Sequence, residues 1–214
     1  MLFSEILDKG GPVLWIIIVC GFFALVIFLE KVFYLHRVQI NVGELVRGLL
    51  NIMKKGNLIE AVSLCDDTPG PVAHVLRSAI ISYEQGDDDI SQSIQDAALS
   101  EIPRLEARLN ILATIAYITP LLGLLGTVIG MIGVFQKMVE MSAFVNAKDL
   151  SQGIGMALYT TAGGLCVAIP CYIAYNYLLS RVEAVLMDME KAASEIVYFF
   201  KHQDVKGKTG KNSA

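Results

Sequence analysis

Ile111–Phe135 reads ILATIAYITPLLGLLGTVIGMIGVF, 25 residues without a single charge. A helix that crosses the hydrocarbon core of a bilayer needs about 20 apolar residues, each adding about 1.5 Å of rise. The run therefore predicts a membrane span. Leu150–Ser180 is a second uncharged run, 31 residues long, and Pro12–Leu29 a third, PVLWIIIVCGFFALVIFL. The two later runs exceed what a bilayer requires, so they are expected to tilt or to project beyond it. Charged residues make up 18% of the chain, below the quarter or so usual in soluble domains, and they are concentrated between these runs.

The predicted fold class is all-α and integral to the membrane. Three transmembrane helices carry long cytoplasmic helical extensions, because no strand-like alternation persists anywhere. The expected division is an N-terminal segment at 1–11, a first span at 12–35 and a helical region at 36–108. A second span follows at 109–137, a loop at 138–152, a third span at 153–180 and a helix with a disordered tail at 181–214. Residues 1–12 carry Glu5 and Asp8 as well as Lys9. They lack the basic start and cleavage site of a signal peptide and are read as retained. Basic residues set the orientation. Lys31, Arg37, Arg47, Arg104, Arg108, Arg181 and Lys191 fall on one side, against Lys9, Lys137 and Lys148 on the other. Seven against three places the N-terminus outside and the C-terminus in the cytoplasm.

Between the first two spans, Leu45, Leu49, Ile52 and Met53 share a helical face. Gly56-Asn57 ends that helix, a short helix follows at 58–66, and Asp67-Thr68-Pro69-Gly70-Pro71 predicts a turn. Residues 72–85 resume helical spacing. Asp89 is placed to cap the next helix, and from Ile90 to Phe135 only Pro103 and Pro120 interrupt the pattern. The Gly/Lys-rich tail from about Gln203 reads as disordered.

Spans 2 and 3 are more than grease. Gly123, Gly126, Gly130 and Gly133 follow at steps of three and four on one face of span 2. Ala157, Thr161, Gly164 and Ala168 do the same on span 3. Small residues let helix backbones approach closely in lipid, which predicts tight helix–helix assembly between the subunits of a ring, in preference to packing within a single chain's bundle. Thr127 lies among the glycines, and Thr160-Thr161 precede Ala162-Gly163-Gly164. Hydroxyls are neutral ligands for a partly dehydrated cation or an ordered water, although a membrane threonine commonly bonds its own helix. What is missing is a carboxylate: neither uncharged run holds Asp or Glu, nor His, Lys or Arg. Ion-coupled machines need one at depth, so a partner must bring the acid.

Other classes find little support. A net charge of −4 gives no global basic surface for nucleic acid. His36, His74 and His202 are scattered, and Cys20, Cys65, Cys166 and Cys171 form no CxxC pair. No enzyme, cofactor or permanent metal site is expected.

The stretches PLLGLLGTVIGMIGVF (Pro120–Phe135) and GIGMALYTTAGGLCVAIPCYIAYN (Gly153–Asn176) resemble the second and third spans of MotA/TolQ/ExbB proteins, closest to the ExbB/TolQ biopolymer transport type. The resemblance extends over nearly the whole chain. It implies an ion-driven bacterial inner-membrane motor: a homo-pentamer around two single-span partners of the ExbD/TolR type, each supplying one ion-binding Asp, and coupled to a TonB-type energy transducer. By the same resemblance, Thr127 and Thr161 match the two threonines beside that Asp, and Pro120 and Pro170 match the helix-bending prolines. Proton-driven relatives often carry Glu where this chain has Met156, and sodium-driven relatives tend to show an extra hydroxyl, here Thr160. Protons and sodium therefore both stay open, with transient Na+ near Thr127, Thr160 and Thr161. Flagellar-type stators usually have four spans and a larger cytoplasmic region, and a non-conducting scaffold would suit the glycine faces alone.

Overall fold

The computed structural model describes residues 11–38, 40–86, 89–140 and 147–211. The N-terminal segment, the acidic residues Asp87 and Asp88, and the middle of the loop expected at 138–152 lie outside them. Among the described residues there are seven helices and no strand. They are α1 (Gly11–Val38), α2 (Val42–Lys54), α3 (Leu58–Asp67), α4 (Pro71–Gln85), α5 (Ile90–Glu106), α6 (Leu109–Glu140) and α7 (Ala147–Lys211).

Three of these helices, α1, α6 and α7, contain stretches long and apolar enough to cross a membrane. Their large side chains are mostly not buried by one another: Phe22 is 65% exposed and Phe135 60%. In water such faces would be a severe liability; in lipid or against further chains they are satisfied.

The chain forms two compact units. The first takes Met1–Lys31 with Arg108–Leu178, and the second Val32–Ala107 with Leu179–Ala214. In the first unit, Val13, Leu14, Ile17 and Ala24 of α1 are buried, as are Leu109, Leu112 and Ala116 of α6 and Ala157 and Ala168 of α7.

The second unit is built on short amphipathic helices. Leu45, Val46, Leu49 and Met53 give α2 one buried face, and the far half of α7 answers with Val182, Val185, Met189, Ala192, Ile196 and Phe200. Steps of three or four keep that stripe on one side of the helix. The rings of Tyr83 and Phe200 stack at 4.1 Å. Helix ends follow local chemistry. The Asp89 carboxylate accepts from the Gln92 amide at 3.2 Å, as the capping preference predicts. Gly86 closes α4 in the left-handed conformation, φ 73°, and the Thr68 hydroxyl donates to the Leu64 carbonyl at 2.7 Å.

Two features differ from the sequence expectation. Pro103 sits inside α5 without ending it. The break comes instead at Ala107 (φ −48°, ψ 133°) and Arg108 (φ 67°), where neither Gly nor Pro marks a turn. The last helix is also traced to Lys211, past Gln203, where polar composition sets its expected end.

Candidate functional site: the seam between α6 and α7

The glycines of α6 have assigned neighbours. A Cβ on Gly123 would stand 3.1 Å from the Thr160 carbonyl oxygen and the Thr161 Cα. On Gly126 it would stand 2.5 Å from the Thr160 Cβ, and on Gly130 3.0 Å from the Ala157 Cβ. On α7, a Cβ at Gly164 would come within 2.8 Å of the Thr119 carbonyl oxygen and 3.1 Å of the Gly123 Cα. Distances near 3 Å or less leave no room for even one methyl group. The two helices therefore meet backbone to backbone, the approach that small residues permit in membranes, and these small-residue faces, expected from sequence to join subunits, pack within one chain instead. Gly133 is the exception, with nothing within 4 Å of its added Cβ.

Four threonines decorate this seam, and their roles separate. The Thr161 hydroxyl donates across the seam to the Gly123 carbonyl at 3.1 Å. Thr127, one turn beyond Gly123, is half-buried and donates to the Leu124 carbonyl at 2.6 Å. Thr160 has no exposed surface. It lies against Gly126, and its hydroxyl reaches the Ala157 carbonyl at 2.8 Å and the Met156 carbonyl at 3.3 Å. Thr119 is likewise buried and donates to the Ile115 carbonyl.

Each hydroxyl spends its proton on a backbone carbonyl, so what remains is oxygen lone pairs. That suits a cation or a water proton arriving from outside. Thr127 and Thr161 keep accessible surface for it, whereas Thr160 is enclosed by its own chain. Pro120 and Pro170 both lie inside their helices. Each removes a backbone donor and loosens the local ladder; Pro120 sits beside Thr119, and Pro170 beside the buried Cys171.

The polar lock at one end of this unit escapes sequence reading. Arg108, which opens into α6, forms an ion pair with Glu30 of α1. The two charges stand at the ends of two apolar runs, which is a signal of sorts, but no spacing rule joins residues 78 apart.

Similarity to known proteins falls on the same helices. The model of the MotA/TolQ/ExbB proton channel family matches residues 68–191. A biopolymer transport ExbB homolog of Methanothermobacter thermautotrophicus is 28% identical over 182 residues, 84% of this chain and 63% of that one. The biopolymer transport protein ExbB of Aquifex aeolicus is 44% identical over 91 residues, 42% of this chain and 61% of that one. The chain thus spans less than two thirds of the length of these two relatives. A solved structure of C. jejuni MotAB matches with a TM-score of 0.59 at 19% identity, covering 91% of this chain and 78% of that one; it supports the fold. The family match takes in the whole α6–α7 seam, including Thr127, Thr161 and the packed glycines, and the chain is a multi-pass membrane protein belonging to the MotA/TolQ/ExbB proton channel family.

Proposed function

We propose that this chain is the ring subunit of an ion-driven bacterial inner-membrane motor. On this reading it assembles as a homo-pentamer around two copies of an ExbD/TolR-type single-span partner and passes work to a TonB-type transducer. The N-terminus faces the periplasm and the C-terminus the cytoplasm, following the seven-to-three distribution of basic residues.

One observation carries the reading. The α6–α7 seam is packed to backbone contact and offers hydroxyl oxygens at Thr127 and Thr161, yet neither Ile111–Phe135 nor Leu150–Ser180 contains Asp, Glu, His, Lys or Arg. A wall of this kind can face a neutralised carboxylate but cannot carry the ion itself. In the proposed cycle an ion neutralises the partner's Asp, which then lies against the apolar wall. Release toward the cytoplasm recharges it and forces the partner helix to move against the ring. One charge crossing 100 mV releases about 2.3 kcal/mol, enough to bias such a step.

The ion is H+ or Na+. Burial of Thr160 leaves Thr127 and Thr161 as the hydroxyls with surface to offer a cation, so the extra hydroxyl serves helix packing before ion choice. The test is to express Thr127→Val and Thr161→Val with the partner and read partner-dependent output. Each substitution is expected to abolish output while the complex still assembles. Normal output from both removes the site assignment. Unchanged wild-type output without sodium, at a fixed proton gradient, removes the sodium version.

A further inference from the structure

The second unit contains a cavity of about 430 Å³ where the end of α1 meets the Pro69-Gly70-Pro71 turn and the facing sides of α4 and α5. That size lies in the range of small-ligand sites. Its wall is closely fitted on one side: Gly70 has φ 124°, and a Cβ there would stand 3.2 Å from the Val38 carbonyl oxygen.

Charge in this cavity is unevenly matched. Arg37, Arg77 and Arg104 line it against two carboxylates, Asp66 and Glu101. Glu101 is buried and already shared, by Arg104 at 3.2 Å and His74 at 3.4 Å. Asp66 takes the Arg77 Nε at 2.6 Å. That contact uses one edge of the guanidinium, and the two terminal nitrogens of Arg77 have no hydrogen bond among the described residues. Arg37 has no hydrogen bond or ion pair among them at all. Both acids are therefore committed, while one whole guanidinium and the fork of another remain in the same cavity. Planar guanidinium forks bind phosphate oxygens in pairs, which is the ligand geometry arginine suits best.

We propose that this cavity binds a phosphate group, held by Arg37 and the terminal nitrogens of Arg77. Free phosphate and the phosphate of an anionic lipid headgroup share the chemistry that these groups recognise. Arg37 follows the uncharged run Pro12–Leu29 by eight residues of the same helix, within reach of the headgroup layer. The site depends on neither the seam between α6 and α7 nor ion flux, so the two proposals stand or fall separately.

The test uses the full chain purified in a neutral detergent. Calorimetric titration is run with inorganic phosphate and, separately, with short-chain phosphatidylglycerol below its micelle concentration. Loss of one charge-assisted contact is worth about 1.5–3 kcal/mol, so Arg37→Gln and Arg77→Gln are each expected to weaken binding by about tenfold or more. Arg47→Gln, an exposed arginine outside the cavity, is expected to bind as wild type. Arg37 has no partner to lose among the described residues, so its variant decides the matter if Arg77→Gln fails to fold. Heat from phosphate, displaced by the lipid, supports a site shared by both sources; heat from the lipid alone supports a headgroup site, and heat from phosphate alone a free-anion site. If neither probe binds, or Arg37→Gln binds both as tightly as wild type, the proposal is overturned.

Discussion

The Thr161 hydroxyl donates to the Gly123 carbonyl, 3.1 Å away on the neighbouring helix. The bond exists because Gly123 has no side chain: the α7 backbone comes close enough for a short hydroxyl to cross the seam. Hydrogen bonds between membrane helices average about 0.6 kcal/mol and reach about 1.7. Thr161→Val is therefore expected to lower the detergent melting temperature slightly, and Thr161→Ser to retain most of the bond. Because function is proposed to need the oxygen itself, the valine variant should lose output far out of proportion to its stability. A thermal melt and an output assay on both variants, side by side, check this. Equal loss of output in the serine and valine variants would mean that shape, not the hydroxyl, matters.

Gly126 is the most constrained position of the seam, since the Thr160 side chain fills the place its Cβ would take. Thr160 cannot turn away, because it is fully buried and hydrogen-bonded along its own helix. Overpacking a filled core typically costs about 1–3 kcal/mol. Gly126→Val is expected to separate α6 from α7 and to lose folded protein in detergent. The paired change Gly126→Ala with Thr160→Ala should recover much of it. Gly133→Ala, with open space around it, should be neutral. Size-exclusion yield and melting temperature across these variants and the wild type test this order.

Much of this architecture is legible in the sequence, because it depends on local chemistry. Uncharged runs of sufficient length mark three helices, Gly56-Asn57 and the Pro69–Pro71 turn separate the short helices, and Asp89 caps as its type predicts. The side of a helix that each seam residue takes is less legible. Thr160 and Thr161 are adjacent in sequence but about 100° apart on a helix, and only the docking of α7 on α6 decides which is enclosed and which reaches Gly123. Gly133 continues the glycine row yet meets no partner, because α7 has no described backbone within reach of it. The cavity of the second unit is invisible in the sequence for the same reason. Glu101 and Arg104 are a readable i,i+3 pair on α5, but Arg37, Asp66 and Arg77 come from three other helices and share no spacing with it.

Cys65 allows a test by pH. Burial pushes its thiol up from 9.0 to about 11, and neighbouring Asp66 adds to the effect while Arg77 opposes it. At neutral pH a thiol that titrates that much higher is ionised about a hundredfold less, and alkylation slows in proportion. Peptide mapping after iodoacetamide should thus find Cys65 unlabelled in the folded chain and labelled after denaturation. The raised value also has a sign for stability. Between 9.0 and about 11 the folded thiol holds its proton more tightly than the unfolded one, so the contribution is whole below pH 9 and is lost as pH rises through 11. The loss is on the order of 2 kcal/mol by pH 11. Cys65→Ala should flatten that part of the stability profile relative to wild type.

Arg108 joins two opposing effects at the break before α6, and glycine and alanine substitutions separate them. Its φ of 67° lies in the left-handed region, which costs a residue with a Cβ about 1–2 kcal/mol and glycine almost nothing. Its guanidinium meanwhile pairs with Glu30, but both side chains are about half exposed, so the pair contributes about 0–1 kcal/mol. Arg108→Ala loses the pair and keeps the strained backbone, and is expected to destabilise slightly. Arg108→Gly loses the same pair but relieves the backbone, and should melt above the alanine variant by an amount equivalent to about 1 kcal/mol. Glu30→Gln removes the pair alone and should match the alanine variant, because both leave φ unchanged. If glycine and alanine melt together, the left-handed turn is not a strained element, and the α5–α6 break is held by the surrounding helices instead.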